Sequence, residues 1–199
     1  MTKDFYSAIK ERRSIYDIVP ESKISDDRLE EIIKDAVLYA PSAFNSQSAR
    51  ALLLLGEHHK RVWDLTKEAL RKIVNPNNWQ ATEDKISSFA KGYGTVLFFD
   101  DDSVVKILQE SHPTYKDKFP VWAEQANGIL QYMVWVSLQS EGFGASLQHY
   151  NPLIDDGVKE AWSVSGDWRL IAQMPFGLPV SLPPEKSKLP LKERFVTYR

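Results

Sequence analysis

The sequence predicts a single α+β domain, and three observations carry that expectation. With 199 residues, 43% apolar and 26% charged, the chain is long enough to bury one sizeable core and has a globular balance. Apolar runs of strand length stand at 49–55 and 95–99. Around them, apolar residues recur at helical spacing, and nothing in the composition marks a second domain within 1–199.

Phe5, Ala8 and Ile9 give a short helical stripe. Leu29, Ile32, Ile33, Ala36 and Val37 give a clearer one, opened by Ser25-Asp26-Asp27, residues that suit a helix N-terminus. The run at 49–55 follows as a strand. Helices are expected over 58–73 and 82–90, parted by the Asn75-Pro76-Asn77-Asn78 break, and 95–99 is the next strand. The stretch 103–120, with Pro113 and Pro120 toward its end, reads as a surface excursion, either a mobile lid or a fixed one. The longest helix is expected over 121–141, because Ala126, Ile129, Leu130, Met133, Val134, Val136 and Leu138 cover much of its circumference, as in a helix buried on several sides. A strand over 144–150, a helix over 154–162 and a strand over 170–174 complete the domain. Beyond Gly177, Pro179, Pro183, Pro184 and Pro190 punctuate residues without helical periodicity, so 178–199 is expected as an extended C-terminal arm.

Composition excludes several chemistries. The chain has no cysteine, which rules out disulfides, thiolate catalysis, Cys-ligated zinc and iron–sulfur clusters, and leaves redox work to a bound cofactor. A formal charge of −2 without a long basic stripe argues against nucleic-acid binding. No apolar stretch approaches a membrane span, no apolar run of signal length opens the chain, and a cytoplasmic protein is expected. His58, His59, His112 and His149 lack the His-Glu-x-x-His spacing of a zinc helix, and no metal is expected. The first three histidines read as surface residues. Gly92-Tyr93-Gly94 and Gly142-Phe143-Gly144 lack the third glycine of a dinucleotide fingerprint, with Leu97 and Leu147 in its place.

Two polar runs carry the chemistry. In Arg12-Arg13-Ser14, two guanidiniums beside a hydroxyl suit a phosphate through forked, charge-assisted hydrogen bonds, or else cap the negative end of the first helix. In Pro41-Ser42-Ala43-Phe44-Asn45-Ser46-Gln47, the amide side chains each present a donor and an acceptor, matching the mixed edge of a flavin pyrimidine. The same run is also the composition of an ordinary loop between a helix and a strand.

Together, at this spacing and this end of the chain, the two runs resemble the FMN-dependent nitroreductase family, with its Arg-x-Ser phosphate contact and its Pro-Ser-x-x-Asn-x-Gln loop. The similarity continues through Trp122-Ala123-Glu124-Gln125-Ala126-Asn127-Gly128, through Gly142-Phe143-Gly144-Ala145-Ser146-Leu147-Gln148-His149-Tyr150 and on to Lys192-Glu193-Arg194-Phe195, nearly the whole chain. Its details resemble the subgroup of the fatty-acid-repression-mutant proteins and a copper-induced lactococcal nitroreductase.

The resemblance implies a nitroreductase fold: a mixed central sheet flanked by helices, in a homodimer that exchanges C-terminal arms and binds FMN at its interface. It implies hydride transfer from NADH or NADPH through the flavin to nitroaromatics or quinones, by a ping-pong mechanism with no catalytic side chain. The cofactor-binding set it implies is Arg12, Arg13, Ser14, Tyr16, Pro41, Ser42, Ala43, Asn45, Gln47, Ser146, Leu147, Gln148, Lys192 and Arg194, with Pro41, Ser42, Asn45 and Gln47 reaching in from the opposite subunit. Along 146–148 a backbone N–H is expected to meet the flavin N5. Phe44, Tyr115, Phe119 and Trp122 are the candidate aromatic walls for flat substrates.

One departure stands out: several family members carry a cation two residues after the serine, near the flavin N1 and O2, where this chain has Tyr16. A phenol donates a hydrogen bond but brings no charge, so flavin reduction is harder unless Arg50, Lys85 or Lys91 substitutes. That departure keeps a second reading open, a non-catalytic FMN-binding carrier or sensor dimer.

Overall fold

The computed structural model describes residues 3–199. Helix α1 (Phe5–Glu11) is capped by Asp4, whose carboxylate accepts from the Tyr6 and Ser7 amides. Helix α2 (Asp26–Tyr39) is capped by Ser25 and has Asp26 and Asp27 in its first turn, the arrangement its opening residues predict. Strand β2 (Ala49–Leu55) leads into α3 (Gly56–Arg71) and α4 (Trp79–Ala90), which are parted by a 3₁₀ turn at Pro76–Asn78. Strand β3 (Gly94–Asp101) is buried along its whole length, which explains an apolar run without alternation.

The sheet runs β1-β5-β3-β2, where β1 is Ile18–Val19 and β5 is Trp168–Pro179, and the short β4 (Gly144–Ala145) pairs with β5 off that path. These pairings are antiparallel, and a single parallel bridge, Ser14 to Ala145, adds the mixed character. Alternate residues of β3 feed opposite faces, as the pleat requires. Val96 and Phe98 pack with Leu29 and Ile33 of α2 and with Leu130, Val134 and Leu138 of α6 (Phe119–Ser140). Leu97 and Phe99 pack with Val62 and Trp63 of α3, Ile86 and Phe89 of α4, and Val158 of α7 (Asp155–Trp162). Helices thus cover both faces of the sheet.

Several elements differ from their expectation. The stretch 103–120 is not a loose excursion: Asp101 caps a regular helix, α5 (Asp102–Ser111), that buries Val105 beside Phe119 and Ala123. The strand expected over 144–150 is regular only at β4 and returns to β5 through a bridge between Gln148 and Gln173. Strand β5 runs on to Pro179, because Ile18 and Val19 pair with Pro179 and Leu178. There Gly177 is required: a Cβ would lie 2.5 Å from the Val19 carbonyl oxygen.

His59 is a clear correction. Expected at the surface, it is buried at 2% exposure, with Nδ1 2.8 Å from Thr95 Oγ1 and Nε2 3.2 Å from the Ala90 carbonyl. Its place on the apolar face of α3, three residues before Val62, was the available signal. Among the described residues no helix is long and apolar enough to cross a membrane, and no group of three His, Cys, Asp or Glu could hold a metal.

Candidate functional site

Arg12 is the C-cap of α1, and the chain then runs extended beside β4, with the Ile15 amide donating to the Ala145 carbonyl at 3.0 Å. That pairing brings the first motif alongside 146–148. Arg12 stacks its guanidinium over the Trp135 ring, 4.4 Å from the centroid. Arg13 donates through Nη2 to the Pro184 carbonyl at 2.9 Å, while its Nε is buried without a partner. Arg12, Arg13 and Ser14 line a cleft of about 670 Å³ together with Lys10, Gln139, Lys186 and Lys188.

A buried guanidinium N–H without an acceptor is costly, and here it sits in a cleft with five further cations, Lys3, Lys10, Arg12, Lys186 and Lys188, against two carboxylates, Glu11, which pairs with Lys3, and Glu185. An anionic group with several acceptor oxygens, a phosphate above all, fits that donor set. Lys192 and Arg194 do not line the cleft; Lys186 and Lys188 do. Within the arm expected as extended, Leu191–Glu193 forms a 3₁₀ turn that includes Lys192. The basic pair at 186 and 188 has the same spacing and was legible in the sequence, but nothing in the chain alone said which pair would fold over Arg13.

Along 146–148, Ser146 N donates to Pro175 O at 3.3 Å and Gln148 N to Gln173 O at 2.7 Å. Successive amides of an extended chain alternate in direction, so the Leu147 N–H points away from β5. The Gln148 side chain is turned inward, its Nε2 donating to Ser146 Oγ at 3.0 Å. Leu147 therefore presents main chain to this face, while the Ser146 and Gln148 side chains brace it.

Tyr16 is 51% exposed and packs on Phe89, with ring centroids 6.2 Å apart. Lys85 lies one turn before Phe89 on α4. Arg50 is not free to supply a charge elsewhere: its guanidinium donates to the Gln47 and Ala49 carbonyls and to Asp101 Oδ2 at 2.9 Å. Tyr150 stands near Tyr16, and burial pushes its phenol up to about 12, with Tyr16 adding to the shift, so at neutral pH it is a donor.

The second motif lies elsewhere on the chain. Pro41, Ser42 and Gln47 line a different cleft of about 540 Å³, mostly apolar, between α2, β2 and α6, and none of its lining residues is shared with the Arg13 cleft. Ala43–Asn45 forms a 3₁₀ turn in which Phe44 projects over an aromatic cluster. Phe44 stacks on Trp122 (centroids 5.9 Å, planes 20° apart) and meets Phe119 at 5.3 Å and Tyr115 at 5.8 Å. The four candidate aromatics thus gather into one wall, joined by His112, whose ring meets Phe44 at 5.0 Å. Phe119 is the buried base of that wall, at 3% exposure, while Phe44 and Tyr115 are open.

The Nitroreductase family model matches residues 9–178. Two Saccharomyces cerevisiae proteins, putative nitroreductase HBN1 and nitroreductase FRM2, are 32% and 31% identical to this chain, over 92% and 94% of its length and 92% and 93% of theirs. The nitroreductase CinD from Lactococcus lactis, solved in complex with chloramphenicol, superposes with a TM-score of 0.88 at 37% identity, over 98% of this chain and all of that one. The same enzyme in complex with 4-nitrophenol gives a TM-score of 0.87 at 38% identity, with the same coverage.

Proposed function

This chain belongs to the nitroreductase family, and from that premise we propose that it is an FMN-dependent oxidoreductase that takes electrons from NADH or NADPH and delivers them to nitroaromatics or quinones. FMN, when bound, supplies the hydride relay. The observation that carries the reading is the Arg13 cleft, where an orphaned guanidinium N–H, a second arginine held by Trp135, a serine hydroxyl and two arm lysines converge.

Arg12, Arg13 and Ser14 hold the phosphate, with Lys186 and Lys188 supplying further charge in place of Lys192 and Arg194. The Leu147 N–H is the main-chain donor for the flavin edge at N5. Tyr16, with Tyr150 near it, takes the position of the missing cation. Pro41, Ser42, Asn45 and Gln47 serve the flavin of a second subunit, since the cleft lined by Pro41, Ser42 and Gln47 shares no residue with the phosphate cleft of the same chain, and Ala43 belongs to the same cofactor loop. In the homodimer, Val121, Ile129 and Tyr132 of α6, 41–51% exposed in the single chain, lie at the interface with the exchanged arms.

Phe44, Tyr115 and Trp122 wall the substrate space, with Phe119 beneath them, and a flat acceptor gains stacking there. CinD accommodates 4-nitrophenol and chloramphenicol, both small aromatics, in keeping with this wall. Donor and acceptor use the same face in turn, so double-reciprocal plots are expected to be parallel; intersecting lines count against the ping-pong order. A cytoplasmic location accords with the pyridine nucleotide donor.

An anaerobic visible spectrum tests the function. The flavin band is expected to bleach on adding NADH or NADPH and to return on adding a nitroaromatic. A flavin band that neither nucleotide bleaches favours the carrier or sensor, the second reading that Tyr16 supports. A protein that cannot be reconstituted with FMN refutes both.

A further inference from the structure

The loop between α2 and β2 is held in a strained backbone state from two sides, by Ser42 and by Arg50, and Arg50 lies outside the assigned cofactor set. Phe44, Asn45 and Gln47 have φ of 56°, 50° and 48°, the left-handed region that non-glycine residues avoid. Such a state persists only where its surroundings over-determine it. Ser42 Oγ accepts from the Gln47 amide at 2.9 Å, which restrains one side of the turn. From the other side Arg50, three residues along in β2, folds back so that Nη1 donates to the Gln47 carbonyl and, at 3.2 Å, to that of Ala49.

The same guanidinium is anchored at its far end, where Nη2 meets Asp101 Oδ2 at 2.9 Å. The other oxygen of Asp101 accepts from Ser103 Oγ at 2.6 Å and from the Ser103 amide at 3.2 Å, which makes Asp101 the N-cap of α5. The Asp101 amide donates to the Ser48 carbonyl at 2.9 Å, closing the circuit. The two side chains are 27% and 13% exposed, so the pair is shielded and directional rather than a loose surface contact. Helix α5 ends at His112, which carries one edge of the aromatic wall.

We propose that Arg50 and Asp101 are a positioning pair: Arg50 clamps Gln47 in its left-handed turn, and Asp101 ties that clamp to the start of α5, so that the 42–47 loop and the aromatic wall keep one relative position. The clamp stands on geometry alone; its bearing on turnover rests on the function proposed above.

The test uses amide hydrogen exchange of the cofactor-free protein, comparing wild type with Arg50→Met, Asp101→Asn and the double variant. The Gln47 amide is expected to exchange at least about tenfold faster in each single variant and no faster in the double, while the β2–β3 ladder keeps its protection. Arg50→Lys, which keeps the charge without the fork, serves if Arg50→Met fails to fold, and is expected to loosen Gln47 as well. In FMN-loaded protein the flavin midpoint potential is expected to move, and kcat to fall about tenfold or more with the donor KM within about twofold. Unchanged exchange at Gln47 in every folded variant, or effects that add in the double, overturns the proposal. A wild type that binds no FMN overturns the functional reading instead, and the exchange result still decides the clamp.

Discussion

Replacing Thr95 with valine should expose how much of the domain's stability rests on one buried polar cluster. Thr95 lies in the centre of the sheet, opposite Leu54 of β2 and Pro175 of β5, and has no exposed surface. Its hydroxyl oxygen accepts from Trp63 Nε1 at 2.9 Å, and its proton goes to His59 Nδ1 at 2.8 Å. That assignment leaves His59 Nε2–H to donate to the Ala90 carbonyl at 3.2 Å, so one neutral tautomer satisfies every group. Thr95→Val keeps the shape and orphans the indole N–H and the imidazole Nδ1. At about 1–3 kcal/mol for each of the two buried unsatisfied groups, the cost is about 2–6 kcal/mol. For a domain of this size that corresponds to roughly 4–24 °C in Tm.

The cluster also sets a pH dependence. Burial, together with nearby Lys60, lowers His59 from 6.5 to about 4, against a smaller opposing effect of the Ala90 carbonyl. Because the folded value is the lower one, the unfolded chain takes up the proton first as pH falls. Stability is therefore full above pH 6.5 and declines between 6.5 and about 4, by up to about 3 kcal/mol. Urea unfolding followed by tryptophan fluorescence, at pH 7 and pH 5 and one fixed protein concentration, measures both effects. A Thr95→Val cost below about 1 kcal/mol, or a wild-type decline no steeper than that of His59→Gln, would refute the reasoning.

The remaining predictions concern the site and its support. Arg12→Ala or Arg13→Ala should lower FMN occupancy, and Lys186→Ala with Lys188→Ala should weaken FMN binding by about tenfold or more, since charge-assisted phosphate contacts are lost; fluorescence titration measures this, and a larger effect from Lys192→Ala with Arg194→Ala would reverse the assignment. Phe44→Leu should raise KM for a nitroaromatic about three- to tenfold through lost stacking, with little change for the nucleotide donor, as steady-state kinetics would report. Dilution into monomers should release FMN, read by ultrafiltration across a concentration series; a stable monomer that retains its flavin contradicts the shared site. Asp100 is fully buried, and burial raises its carboxyl despite Asn127, Arg169 and Ser48, so its ionisation as pH rises works against folding. Asp100→Asn should accordingly compare better with wild type at pH 7 than at pH 3, as thermal melts at the two values would show.

Periodicity, caps and composition reach far into this protein because they act locally. The Ser25 cap, the apolar run of β2, the Pro76 break and the long apolar helix α6 each follow from neighbours a few residues apart. The absence of cysteine and the polar runs at 12–14 and 41–47 are likewise local features, and they suit a bound cofactor. Elements whose definition depends on distant partners were not legible. Asp101 becomes the cap of α5 only where Ser48 and Arg50 meet it, and residues 144–150 are divided between β4 and a bridge by what β5 offers across the sheet. His59 looks like any surface histidine until Thr95 and Ala90 close around it.

The candidate site divides along the same line. The sequence by itself determined which residue types were present: guanidiniums beside a hydroxyl, amides in a loop, aromatics in a cluster of positions, and lysines along the arm. The tertiary structure alone decided that Ser14 lies against Ala145, that Lys186 and Lys188 line the Arg13 cleft, that Leu147 turns its N–H outward, and that Arg50 is committed to Gln47 and Asp101. The physical reason is range: side-chain chemistry and helix signals are properties of a residue and its near neighbours, whereas a site is made by contacts between segments distant in the chain, which only packing can choose.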